Sequence, residues 1–251
     1  MSLLDSFDKD GEEILRPDMI FAHTDDIPQK LIVVFNINTV NSILERYDCT
    51  ECSARMSAGL TIPIYSFNYK GDTIGFYLSP IGSAASVGIM EEIAFKKDKK
   101  LLFFGSCGSL DKDISSGKLL VPTEAYRDEG TSYHYAPASD YITIKSADRL
   151  AEVFDELKVP YCKMKIWTTD AFYRETKRNM LARKAEGCSA VDMECAALMA
   201  CAQFRGYEVY EFVYAADCLD GDEWDMRILG SGEKDICGTM ADIAIETIIR
   251  L

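Results

Sequence analysis

The sequence predicts an α/β fold of three layers, α/β/α, around a mixed and largely parallel central sheet. Two observations predict it. Short apolar runs alternate with helix-patterned stretches along the chain, the order that lays helices over the faces of a parallel sheet. The helical stretches carry apolar residues at helical spacing, and there are enough of them to cover both faces.

Taken in order, Leu31–Phe35 is a strand by its unbroken branched and aromatic run, and Val40–Tyr47 follows as a helix. Ile62–Asn68 and Thr73–Leu78 are strands joined by Tyr69-Lys70-Gly71-Asp72, a hairpin turn. Ala84–Lys96 is a helix, Leu101–Phe104 and Leu119–Ala125 are strands, and Ala147–Leu157 is a helix. Strand Cys162–Thr168 leads to helix Lys177–Glu186, and the short strand Ala190–Val191 leads to helix Met193–Phe204. Strand Val209–Ala215 and helix Asp235–Arg250 complete the pattern. No repeat or low-complexity segment interrupts it.

At 251 residues the chain lies near the upper end of what one α/β core holds, and no linker divides it, so residues 1–251 read as one domain. Hydrophobic residues at 48% supply ample core material. The formal net charge of -14 repels polyanions, which excludes nucleic acid and anionic membrane as expected partners. A small anion such as phosphate still binds where backbone N–H groups or placed basic side chains converge. The early acids Asp5, Asp8, Asp10, Glu12 and Glu13 are unlike the basic flank of a secretory signal, so none is expected. The nine scattered cysteines show no disulfide framework and fit a reducing cytoplasm. Cys49 and Cys52 form a CxxC pair, but the next cysteine is Cys107, so a zinc ribbon lacks its second half and no metal site is expected.

Ligands of open α/β sheets bind beyond the carboxyl ends of strands, and three such places carry chemistry. After Leu101–Phe104 comes Gly105-Ser106-Cys107-Gly108, read as a tight turn whose N–H groups cradle a ligand or, alternatively, as an ordinary strand-to-loop turn. Val191-Asp192-Met193-Glu194 opens a helix so rich in alanine that it must be packed on most of its surface, which buries Glu194. A buried carboxylate needs donors, and the vicinal hydroxyls of a sugar are suitable ones. Asp192 is a candidate ligand or the helix N-cap, and Met193 a soft apolar face or plain core. Asp217 follows the last strand and is a candidate general acid, or one of several loop acids with Asp220, Asp222, Glu223 and Asp225.

Together these segments resemble the purine nucleoside phosphorylase and uridine phosphorylase family from about residue 30 to the C-terminus. Gly105-Ser106-Cys107-Gly108 resembles its phosphate and base loop, Val191-Asp192-Met193-Glu194 its ribose motif, and Thr169-Asp170-Ala171-Phe172-Tyr173-Arg174-Glu175-Thr176 its base-stacking segment. Arg127-Asp128-Glu129-Gly130-Thr131-Ser132-Tyr133-His134-Tyr135 resembles a segment near the mouth of the active site.

The resemblance implies a phosphorylase/hydrolase-like fold and a pentosyltransferase of nucleoside metabolism and purine salvage. It would split a nucleoside, weakly favoured as a purine one, into free base and pentose 1-phosphate. Asp217 would serve the leaving base, with Arg227 as the partner that tunes it. Ser106, Cys107, Gly108, Phe172, Asp192, Met193 and Glu194 would bind substrate. Inorganic phosphate is the implied co-substrate, with no cofactor. Relatives complete each site across a subunit contact, which implies a homo-oligomer, a dimer or hexamer, with His23 or Arg55 as candidate cross-subunit residues.

The phosphate-binding pattern departs from the family. Phosphorolytic members follow the first strand with Gly-Asp-Pro-x-Arg, where this chain has Asn36-Ile37-Asn38-Thr39-Val40, and a second expected arginine is Phe103. Each lost charge-assisted contact removes about 1.5–3 kcal/mol. Arg55, Arg127 and Arg174 are candidate substitutes, as are the amides of Asn36 and Asn38. Hydrolysis by water and silent nucleoside binding therefore stand as alternatives to phosphorolysis.

Overall fold

The computed structural model describes residues 2–21, 26–56, 59–230 and 233–251. A short helix, α1 (Pro17–Ile20), precedes β1 (Lys30–Val34), α2 (Ile37–Arg46), β2 (Thr50–Met56), β3 (Thr61–Tyr69), β4 (Asp72–Leu78), α3 (Ser83–Ala94) and β5 (Lys100–Ser109). The second half runs β6 (Leu119–Asp128), β7 (Tyr141–Thr143), α4 (Ala147–Leu157), β8 (Tyr161–Thr169), α5 (Lys177–Ala185), β9 (Cys188–Asp192), α6 (Cys195–Arg205), β10 (Glu208–Cys218) and α7 (Glu233–Ile248).

These strands form one mixed sheet with helices on both sides. The path is β10-β6-β8-β9-β5-β1-β4-β3-β2, and β5 also pairs with β10, so five strands close into a ring. Pairings β1–β4, β1–β5, β5–β10, β6–β8 and β8–β9 run parallel. The β2–β3–β4 meander and the contacts β5–β9 and β6–β10 run antiparallel. Strands β1 and β5 contribute Leu31, Ile32, Val33, Leu101 and Leu102 with no exposure, the double burial that an unbroken apolar run demands. Phe104 on β5 stacks on Phe212 of β10, centroids 5.1 Å apart.

Two strands fall outside the sequence pattern for a physical reason. Among the described residues the β2 strand pairs only with β3 and leaves most of its side chains at least partly exposed, and three-residue β7 pairs only with β6; edge strands of this kind carry no apolar run. The CxxC pair sits at the start of β2, where the Cys49 and Cys52 thiols approach different carbonyls, those of Ile43 and Ile64.

The expected turn at Gly105-Ser106-Cys107-Gly108 is corrected by the structure: the segment is the last part of β5. Gly105 through Ser109 pair with β10 on one side, while Gly108 and Ser109 pair with β9 on the other. With partners on both edges the backbone has no reason to turn. The glycines serve a different need, close approach: a Cβ on Gly105 would lie 2.9 Å from Phe35 Cδ2. The β10 strand likewise runs past Ala215 to Cys218, with a bulge between Ala215 and Asp217 that sets Asp217 opposite Gly108.

Candidate active site

The ends of β5, β9 and β10, the start of α6 and the segment 172–177 surround a cavity of about 680 Å³. Its wall includes Ser106, Cys107, Gly108, Phe172, Asp192, Met193, Glu194 and Asp217, so every proposed site residue except Arg227 lines one concavity. That volume suits a nucleoside-sized ligand.

Glu194 stands at the N-cap position of α6 and is only 7% exposed. Its Oε1 accepts the Gly82 N–H at 2.6 Å, and Ser83 Oγ donates to the Met193 carbonyl, which ties the start of α3 to the start of α6. Gly82 adopts φ +100°, a backbone region that glycine enters without strain. Burial, then the nearby Asp192 carboxylate, pushes the Glu194 carboxyl up to about 8. Asp192 itself is committed: Oδ2 takes the Glu194 and Cys195 N–H groups at 3.0 and 2.6 Å, and Oδ1 takes the Thr168 hydroxyl at 2.8 Å. Its role at the wall is to cap α6 from two residues before the N-cap position and to hold Glu194 in place. Burial holds Asp192 at about 6 despite those donors.

Asp217 is 9% exposed, and burial raises its carboxyl above the ordinary range. Its Oδ2 accepts Trp224 Nε1–H at 2.6 Å. The direct Asp217–Arg227 pair expected from the resemblance is not formed. Asp225, two residues before Arg227, and the carbonyls of Ile114 and Lys112 capture the guanidinium, at 3.2, 2.5 and 3.1 Å respectively. Arg227 thereby fastens the loop that carries Trp224, and its charge lowers Asp217 only behind the contributions of Trp224 and the backbone.

The aromatic side of the cavity is a 3-10 turn, Phe172–Arg174, where Phe172 and Tyr173 have centroids 4.0 Å apart. Phe172 is 48% exposed, an accessible face for a base. Glu175 follows it in the wall, and burial together with the Asp217 charge raises it to about 7.

The positions expected to hold phosphate are occupied otherwise. Asn36 caps α2, its side chain accepting Asn38 N–H at 2.8 Å, and Val40 is core. Phe103 is fully buried, with its ring centroid 6.2 Å from that of Phe35. Arg55 is 2% exposed and donates to Ser53 and the carbonyls of Ala54 and Glu92 within its own chain. Arg127 is buried over the Tyr133 ring and donates to Ser132, Ser139 and the carbonyls of Ala136 and Pro137. Arg174 is exposed and outside the wall. Gly130, Thr131 and His134 line a second, smaller hollow, so the segment expected at the active-site mouth faces elsewhere. His23 lies outside the described residues. Lys177 is the one cation in the described wall, against the carboxyl groups of Glu175, Asp192, Glu194, Glu211, Asp217, Asp222 and Glu223.

Asp192, Cys195 and Glu211 place a carboxylate oxygen, a thiol sulfur and a carboxylate oxygen within 4.8 Å of one another. Asp192 already accepts three donors, and burial holds the Cys195 thiol protonated, so the cluster suits shared protons better than a cation.

A family model described as the phosphorylase superfamily matches residues 31–248. The chain belongs to the phosphorylase superfamily. A guanosine phosphorylase of Halorubrum lacusprofundi is 26% identical over 234 residues, covering 90% of this chain and 92% of that protein. Uridine phosphorylase from Vibrio fischeri ES114 superimposes with a TM-score of 0.73 at 21% identity, covering 90% of this chain and 93% of the other. A Campylobacter jejuni 5'-methylthioadenosine/S-adenosyl homocysteine nucleosidase superimposes with a TM-score of 0.70 at 20% identity, covering 89% and 100%. The superfamily fold thus carries both phosphorylases and nucleosidases.

Sequence reasoning missed Glu175, Glu211, Trp224 and Lys177 in this superfamily member. Glu211 carried a signal, a lone acid within the apolar run Val209-Tyr210-Glu211-Phe212-Val213. The others depend on how segments 172–177 and 219–230 fold back over the strand ends, which no local pattern encodes. The close approach of β5 to β9 and β10 gives a prediction. A Cβ on Gly108 would lie 2.7 Å from Leu219 Cδ1, 2.9 Å from Val191 Cγ1 and 3.4 Å from Asp217 Oδ1. Gly108→Ala is expected to cost about 1–3 kcal/mol of stability and to lower kcat/KM by displacing Asp217. Denaturant unfolding and steady-state kinetics check this, and unchanged values in both contradict the packing.

Proposed function

We propose that this protein cleaves the N-glycosidic bond of a purine nucleoside. The observation that carries the reading is the convergence of Glu194 and Asp217, two carboxyl groups with raised proton affinity, on one cavity that also presents Phe172. Glycosidic cleavage builds positive charge on the sugar and negative charge on the leaving base, so a catalyst must serve both ends. Glu194, with Oε1 held by Gly82, has Oε2 for the ribose hydroxyls and for the cationic sugar. Phe172 stacks on the base. Asp217, its proton affinity raised by burial and its Oδ2 oriented by Trp224, is the group that gives a proton to the departing ring nitrogen. The preference for a purine rests on the residues just after the stacking aromatic, the place from which the resemblance would have a pyrimidine edge read: Thr176 caps α5 there, and Arg178 is exposed outside the wall.

For the group that accepts the pentose, the cavity favours water. A phosphate dianion entering a wall with a single lysine among many carboxyl groups meets repulsion and no arginine among the described residues. Transfer to phosphate, as the sequence resemblance implies, is the second reading, and the guanosine phosphorylase relative, aligned over nearly the whole chain, supports it. Incubating inosine, guanosine and adenosine with and without inorganic phosphate, then identifying the sugar, separates the readings. Free pentose without phosphate is the expected product; pentose 1-phosphate formed only with phosphate establishes the second reading, and no cleavage under either condition refutes both.

A further inference from the structure

Glu211 is the most buried of the wall carboxyls, and neither the reading above nor the folding of the site assigns it a task. It lies in the middle of β10, 3% exposed, among Tyr210, Phe212 and Val213. An acid in that place costs several kcal/mol of desolvation unless something compensates it. The Cys195 thiol donates to it, yet Oε2 is buried with no hydrogen-bond partner among the described residues. A pure packing role does not account for an acid here, since a leucine or glutamine fills the same space without the charge.

Its position gives the reason. Parallel register sets Glu211 beside Phe103, and two residues on, Val213 beside Gly105. Alternation along β10 puts Glu211 and Val213 on one face, and Glu211, Val213, Gly105 and Phe35 all line the cavity. Asp217 stands six residues further along the same strand, at its carboxyl end. With the base at Phe172 and Asp217 and the sugar at Glu194, Glu211 stands at the sugar end of the cavity, its carboxylate within 4.8 Å of the ligand atoms of Asp192 and Cys195 on either side of Glu194.

We propose that Glu211 is a further catalytic residue, which binds the acceptor water through Oε2 and takes its proton as that water attacks the sugar. The step rests on the glycosidic-cleavage reading. The water oxygen forms a bond to the anomeric carbon, and the bond from that carbon to the base nitrogen breaks with its electron pair leaving on nitrogen. That nitrogen takes the proton of Asp217, and Glu211 receives a proton from the water; solvent exchange then returns both acids to their starting states. The products are free pentose and free base, and no other reactant is consumed. Burial and the neighbouring Asp192 and Glu194 carboxylates raise the proton affinity of Glu211, so the step draws on its ionised form and its rate rises with pH as that carboxyl gives up its proton.

The test uses the full chain with inosine, in phosphate-free buffer and with added inorganic phosphate, for the wild type, Glu211→Gln and Glu211→Asp. Glutamine keeps the size and an oxygen for the Cys195 thiol but takes no proton. The expected result is free pentose from the wild type without phosphate and a kcat lowered roughly 10²–10⁴-fold in Glu211→Gln. KM is expected to be little changed, with partial recovery in Glu211→Asp and a melting temperature at least that of the wild type. A Glu211→Gln variant that hydrolyses inosine at the wild-type rate overturns the proposal. So does a wild type that yields only pentose 1-phosphate and only with phosphate, although the glycosidic reading then stands. A wild type that cleaves no purine nucleoside under either condition removes the glycosidic reading and this proposal together.

Discussion

Asp217→Asn is expected to lower kcat for purine nucleosides roughly 10²–10⁴-fold, the usual contribution of a positioned general acid, while leaving the fold intact. The variant is well matched for this purpose. Asparagine keeps an oxygen for the Trp224 Nε1–H, so the loop that closes over the cavity retains its anchor. Burial already holds the aspartic acid toward its neutral form, so a neutral amide brings little change in solvation. What disappears is the transferable proton. The sign of the pH dependence follows: the acid must be protonated, so its contribution is full below its folded pKa and is lost as pH rises through that value. A nucleoside whose purine is alkylated at the ring nitrogen leaves as a neutral base without protonation, and its turnover is expected to fall far less. Steady-state kinetics on the two substrate types check the assignment; an equal loss on both means that Asp217 holds the substrate and does not protonate it.

Much of this site is legible in the residues because its parts are local. The alanine-rich run after Glu194 dictates a packed helix, and a packed helix dictates a buried acid at its start. Asp217 follows from the strand before it. The strand pattern failed at Gly105-Ser106-Cys107-Gly108 because small residues read as a turn when their partners are unknown; β9 and β10 supply those partners from more than eighty residues away in sequence. Arg227 failed for a similar reason. Spacing places it near Asp217, but carbonyls of the 112–114 loop, reached only through the tertiary fold, outcompete that carboxyl. The missing phosphate arginines were visible as Asn36 and Phe103, whereas the fate of the substitutes was not. Whether Arg55 or Arg127 serves a ligand or its own chain depends on carbonyls gathered around it by folding.

Glu194→Gln is expected to abolish most activity and to stabilise the protein, the second effect growing with pH. The carboxyl has a folded value of about 8 against an ordinary 4.5. Below the ordinary value both folded and unfolded chains carry the proton, and Glu194 contributes no pH dependence. Between the two values the unfolded chain gives up a proton that the folded chain keeps, so stability declines as pH rises; above about 8 the folded protein carries the buried anion in full. Glutamine removes that burden and still offers an oxygen to the Gly82 N–H. With one pKa unit equal to about 1.4 kcal/mol, the variant is expected to gain ~4 kcal/mol over the wild type at pH 9 relative to pH 5. Activity moves the other way: the cationic sugar favours the Glu194 anion and draws off the proton that the free site holds, which an amide cannot follow, and a loss of roughly 10²–10³-fold is expected for an electrostatic contact of that kind. Urea unfolding at the two pH values and kinetics on inosine measure both halves. A stability difference that is the same at pH 5 and pH 9 means that Glu194 carries no buried charge, and the electrostatic role assigned to it at the sugar falls with that result.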